Sequence, residues 1–130
     1  MTGYLLDTHA LIWWMSSSPQ LAEPAKAAIE NGGGSVFASA VSAYEIALKH
    51  TAGKLDIAAN LLLAYEADLS AVGLRELPIT SQHALAAGQL DLLHRDPFDR
   101  LLIAQAKLEG LTLISNERLF DRFGVARLWD

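Results

Sequence analysis

Short apolar runs alternate along the chain with longer stretches of helical periodicity. Tyr4-Leu-Leu6 is apolar and breaks off at Asp7-Thr8-His9, and Ala10 to Met15 resumes as an apolar helical run, which predicts strand, turn, helix. Ser16-Ser-Ser-Pro19 interrupts it. Leu21 to Asn31 puts Leu21, Ala25, Ala28 and Ile29 on one helical face, and Gly32-Gly-Gly34 ends that helix. Ser35 to Ala38 predicts a second strand, followed by a helix from Ser39 to His50 with Ser39 or Ser42 as its N-cap. After a connection over Thr51 to Asp56, a helix over 58–72 turns Leu61, Leu62, Tyr65 and Leu69 to one side. Leu74 to Leu77 predicts a third strand, and Thr80 caps a helix from Ser81 to Leu90 whose His83 is expected at the surface.

The segment from His94 to Gly110 carries the sharpest signals. Asp96 suits an N-cap, Pro97 the first helical position, where an N–H would be unpaired anyway, and Asp99 the first turn, where a carboxylate faces free amides. Leu101, Leu102, Ile103, Ala104, Ala106 and Leu108 leave almost no polar face before Lys107 and Glu109, so this helix should be covered on most sides. Gly110 supplies a left-handed stop. Leu111 to Ile114 predicts a strand, Ser115 to Arg118 its exit turn, and Val125 to Trp129 an edge strand.

Strands that alternate with helices through connections too long for hairpins predict an α/β fold, a three-layer α/β/α domain with a central, mostly parallel sheet. Such sheets place their chemistry beyond the carboxyl ends of the strands. Asp7 and Glu117 fall just past strands, while Asp99 and Glu45 fall in early turns of helices entered from that edge. Three of the four also have a structural reading: Asp7 or Thr8 as a helix cap, Asp99 with Asp96 as partners of the helix dipole, and Glu45 in a capping box with Ser42.

Composition narrows the chemistry. The 130 residues, 52% of them apolar, fit one domain spanning 1–130 with a proper core. Cysteine is absent, which excludes disulfides, thiolate metal sites and thiol nucleophiles. No basic leader opens the chain and no apolar stretch reaches membrane-spanning length, so a soluble, cytoplasmic protein without membrane contact is expected. A net charge of −5 is the wrong sign for a protein that coats nucleic acid. Four acids gathered around divalent cations would leave the remainder close to neutral. All-oxygen ligation then points to Mg²⁺ or Mn²⁺, with water activated for attack on a phosphodiester.

Leu6-Asp7-Thr8-His9, Ser39-Ala-Val-Ser-Ala-Tyr-Glu45, the run from His94 through Asp-Pro-Phe-Asp-Arg to Ala106, and Leu113-Ile-Ser-Asn-Glu117 together resemble a PIN domain. More narrowly, they resemble the VapC toxins of bacterial type II toxin–antitoxin modules, in the right order over nearly the whole chain. The resemblance implies that Asp7, Glu45 and Asp99 are the principal catalytic acids holding Mg²⁺ or Mn²⁺. It also implies that Glu117 is a fourth catalytic and metal-holding acid; the family more often has Asp at this place, and the longer side chain would reach the cation through a water. Thr8, Ser115 and Asn116 are suited to orient carboxylates or waters, and Asp96 stands near enough to support them. It further implies a metal-dependent endoribonuclease that cuts structured RNA, tRNA or rRNA, and is silenced by a cognate antitoxin. A homodimer or a toxin–antitoxin hetero-oligomer is the implied assembly. Lys49, Arg95, Arg100 and Arg118 become candidates to meet RNA phosphates or an acidic antitoxin peptide. Trp13 and Trp14, being adjacent, cannot both enter the core from one helix face, which leaves one for an interface.

Two alternatives stand beside this reading. One is a non-catalytic binding or regulatory module of the same fold, which Glu117 keeps open. The other is a phosphatase of the haloacid dehalogenase type, which wants a second Asp two residues after the first, where this chain has His9.

Overall fold

A computed structural model describes residues 3–55, 63–92 and 94–130. Its elements run β1 (Tyr4–Leu6), α1 (Thr8–Met15), α2 (Glu23–Glu30), β2 (Val36–Ser39), α3 (Ala40–Thr51), α4 (Tyr65–Ala71), β3 (Arg75–Leu77), α5 (Ser81–Gln89), α6 (Pro97–Glu109), β4 (Thr112–Ile114), a 3₁₀ helix (Arg118–Phe123) and β5 (Arg127–Leu128). Residues 58–62 of the helix expected over 58–72, Leu61 and Leu62 among them, lie outside the described residues.

The strands form one parallel sheet in the order β3-β2-β1-β4-β5. Tyr4 lies level with both Val36 and Thr112, so β1 is central. The chain builds to one side of β1 through β2 and β3, then crosses to the other side for β4 and β5. The carboxyl end of β1 is therefore a switch point, where an open α/β sheet leaves a crevice. Asp7 is the first residue beyond it.

Successive side chains on a strand face opposite ways, and the two cores follow from that. Leu6 and Ile114 join Ala10, Leu11, Ile29, Ile46 and Leu69 on one side of the sheet. Leu5 and Leu113 join Leu102, Ile103, Ala106, Phe120 and Phe123 on the other. Helices on both faces make the three layers.

The caps follow local chemistry. Asp96 accepts from the N–H groups of Phe98 (2.9 Å) and Asp99 (3.4 Å), and Gly110 closes α6 at φ 66°. Ser39, rather than Ser42, caps α3, accepting from the Val41 N–H. The exit turn after β4 continues into the 3₁₀ helix, and β5 is an edge strand as expected.

Two expectations are corrected. His83 is 2% exposed: its Nδ1 accepts from the Thr80 N–H at 3.0 Å, and its Nε2 lies 2.9 Å from Glu109 on α6. A capping box built on Thr80 and His83 thus becomes a clasp between α5 and α6. Leu108, expected inside, is 51% exposed, because α6 keeps a solvent stripe with Lys107 and Glu109 at its end.

Candidate functional site

Each acid at the crevice is placed by a local reason. Asp7 follows the central strand and caps α1, its Oδ1 accepting from the Ala10 N–H at 2.8 Å, with the Ser115 hydroxyl as a second partner. Glu45 projects from the second turn of α3, and Thr8 donates its hydroxyl to Oε1 at 2.7 Å. A threonine has one hydroxyl proton, so the 2.9 Å contact between Thr8 and Ser42 is donated by Ser42. The relay Ser42 to Thr8 to Glu45 ties α1 to α3, which replaces the capping box expected of Ser42 and Glu45. Lys49, one turn on, reaches Glu45 Oε2 at 3.1 Å.

Asp99 sits in the first turn of α6, with His94 Nε2 2.7 Å from its Oδ2. Glu117 is exposed and caps the 3₁₀ helix, its Oε1 accepting from the Leu119 N–H at 3.0 Å. Its own N–H donates to Ser115 Oγ at 2.9 Å. Asp7, Glu45, Asp99 and Glu117 all line one cavity of about 590 Å³, together with Thr8, Lys49, Asp96 and Asn116. His9, Trp13, Phe98 and Phe120 form its aromatic sides.

Electrostatics connect the acids. Burial pushes the Asp7 carboxyl above its ordinary 3.8; hydrogen bonds from Ser115 and Ala10 and the nearness of His9 oppose this, while Glu45 adds to it. Burial also raises Asp99; His94 opposes that shift, and Asp96 and Glu45 reinforce it. Glu45 is therefore felt by both aspartates. Among the described residues no three acidic or histidine side chains close into a finished metal cage. Glu45 is turned to Lys49 and Thr8, and Asp99 to His94, so positive or donating groups meet these oxygens. The donor chemistry fits a hard divalent cation: carboxylate oxygens only, with burial and neighbouring acids raising Asp7 and Asp99, and with space beside them.

The burial of these carboxyls has a measurable sign. A carboxyl whose folded pKa exceeds its unfolded value makes the folded state hold extra protons between the two. Its contribution to stability is then greatest below pH 3.8 and falls as pH rises through the elevated value. Replacing Asp99 by Asn is accordingly expected to raise the Tm of metal-free protein relative to the parent, by a margin that grows with pH across the acid range. Mn²⁺ should reverse the order, by stabilising the parent alone. Calorimetry at several pH values with and without Mn²⁺ reads both, and a margin that ignores pH refutes the upward shift of Asp99.

Sequence reasoning left out His94 as a carboxylate partner and the aromatic sides of the cavity. His94 precedes the helix in an irregular segment, and spacing places no side chain there. Arg100 is a correction: 8% exposed, it donates to the carbonyls of Leu90, Asp91 and His94, so it is not available to phosphate. Arg95 and Arg118 are exposed. Trp14 donates to the Val72 carbonyl, and Trp13 lies between His9 and Trp129, so both are partly covered within the chain.

Residues 4–126 match the model of the PIN domain. Over 119 residues the sequence is 30% identical to the ribonuclease VapC22 of Mycobacterium tuberculosis (strain ATCC 25618 / H37Rv), covering 91% of this chain and 89% of that protein. The fold superposes on DNA-bound VapBC from Salmonella typhimurium with a TM-score of 0.72, over 98% of each chain at 18% identity. FitAcB from Neisseria gonorrhoeae gives 0.67 over 96% of each chain at 22% identity.

Proposed function

This chain belongs to the PIN-domain family and is VapC-like, and from that premise we propose that it is a metal-dependent endoribonuclease, the toxin of a toxin–antitoxin pair. The observation that carries the reading is that Asp7, Glu45, Asp99 and Glu117 share one cavity at the carboxyl edge of the sheet. Asp7, Glu45 and Asp99 hold Mg²⁺ or Mn²⁺, and Glu117 serves from the exposed rim.

When bound, the divalent cation supplies a water acidic enough to attack a phosphodiester and a charge that offsets the one building on the phosphoryl oxygens. The chain's own residues prepare for it. Thr8 and Ser115 fix the rotamers of Glu45 and Asp7 by hydrogen bonding, Asp96 fixes the start of α6, and Asn116 offers an amide at the rim. Lys49 pairs with Glu45, and a cation bound at that carboxylate would leave the ammonium to meet a phosphate. Arg95 and Arg118 are placed in exposed segments beside Asp96 and Glu117, where RNA or an acidic segment of an antitoxin would pass. The substrate is structured RNA, tRNA or rRNA, in the cytoplasm, and the assembly a homodimer or a complex with the cognate antitoxin. No helix among the described residues is long and apolar enough to cross a membrane.

The experiment incubates a pool of tRNA and rRNA with purified protein and Mn²⁺, with EDTA in place of Mn²⁺, and with a folded Asp99→Asn variant. Cleavage is expected in the first arm only. Equal cleavage in all three points to a contaminant, and intact RNA in the first refutes the nuclease.

A further inference from the structure

Asp99 meets the cavity with a partner already attached. His94 Nε2 lies 2.7 Å from Asp99 Oδ2, and both side chains are half-buried. An ionised carboxylate only accepts, so the imidazole donates from Nε2.

The imidazole is held by groups unconnected with the acids. Its ring lies against Phe123, centroids 6.4 Å apart and planes inclined by 57°, and Phe123 is buried in the core beneath α6. The His94 carbonyl accepts from Arg100 Nη1 at 2.8 Å. The same buried guanidinium holds the carbonyls of Leu90 at 2.7 Å and Asp91 at 2.6 Å, so it fastens the segment before α6 onto that helix. A donor anchored on both its ring and its backbone sets the orientation of its acceptor, rather than following it.

Lys49 offers a contrast. It reaches Glu45 on a long side chain from the same helix, held by their i,i+4 spacing.

We propose that His94 is the positioning residue of the cation site: anchored by Arg100 and Phe123, it engages Asp99 Oδ2 and holds that carboxylate in the orientation that meets the metal. The proposal rests on the reading of this cavity as a cation site. It makes His94 a helper of metal binding; a histidine that merely occupied Asp99 in place of the cation would be a competitor, with the opposite effect on affinity.

The test measures Mn²⁺ affinity on the full chain by the paramagnetic resonance signal of free Mn²⁺, with no RNA present. His94→Ala is expected to weaken binding by roughly ten- to a hundredfold, the usual effect of losing a group that orients a ligand. His94→Gln, which keeps an N–H donor of similar reach, is expected to recover most of the loss. His94→Asn, whose amide is too short, is expected to resemble Ala. Melting of the metal-free proteins shows which variants are folded, and if the Ala variant is not, the Gln and Asn variants carry the comparison. Unchanged or tighter binding in the donor-less variants, or a Gln variant as weak as Asn, overturns the proposal while leaving the cation site intact. A parent that binds no Mn²⁺ overturns both.

Discussion

Asp7→Asn is expected to reduce RNA cleavage by about a thousandfold or more, because a cation's stabilisation of the transition state is several kcal/mol and each 1.4 kcal/mol is about tenfold in rate. The same substitution should leave metal-free protein at least as stable as the parent. Asparagine is as good an N-cap as aspartate, so its Oδ1 keeps the bond from the Ala10 N–H. The amide nitrogen can donate to Ser115 Oγ, which in the parent donates to the carboxylate. What disappears is a buried carboxyl that burial and Glu45 already push toward its neutral form. Initial rates on the tRNA and rRNA pool and calorimetric Tm values check the two halves separately. A fall of many degrees in Tm would make Asp7 a structural cap; retained cleavage would remove it from the chemistry.

That pair of effects shows what the sequence discloses and what it withholds. The sheet was readable because Leu5 with Leu6, and Leu113 with Ile114, are apolar on both faces, which only a strand between two layers of helices requires. The entrance of α6 was readable because Asp96, Pro97 and Gly110 act through neighbours within four residues. The approach of Asp7, Glu45, Asp99 and Glu117 to one edge followed from strands and helices that begin and end there. Their partners did not follow. Whether Ser42 caps α3 or supports Thr8 depends on α1 docking across 34 residues of sequence. His83 looks like a surface residue in the first turn of a polar helix until Glu109, 26 residues away, is brought to it. Periodicity records which face of an element is apolar; it does not record which polar group waits on the element opposite.

Arg100 is the sharpest case of that kind, and it carries the largest expected effect on stability. In sequence it belongs to a charged cluster, with Arg95 and Asp99 beside it, and invites a role at phosphate. In the structure its guanidinium is enclosed and donates to three carbonyls within 2.8 Å, those of Leu90, Asp91 and His94, with Gly88 at 3.4 Å. These are bonds from a charged donor, each on the order of 1.5–3 kcal/mol and not additive. Arg100→Met keeps the stem that packs beside α5 but removes every donor. It is expected to lower stability by about 3 kcal/mol, a large fraction of the roughly 5–15 kcal/mol that holds a domain together. Arg118→Met, at an exposed position, should change stability little while weakening RNA binding. Urea denaturation compares the two directly. Equal, small losses would return Arg100 to the surface and free the segment before α6 from its anchor. A large loss confined to Arg100→Met would mean that the charge serves the fold, and reaches the acids only through the backbone of His94.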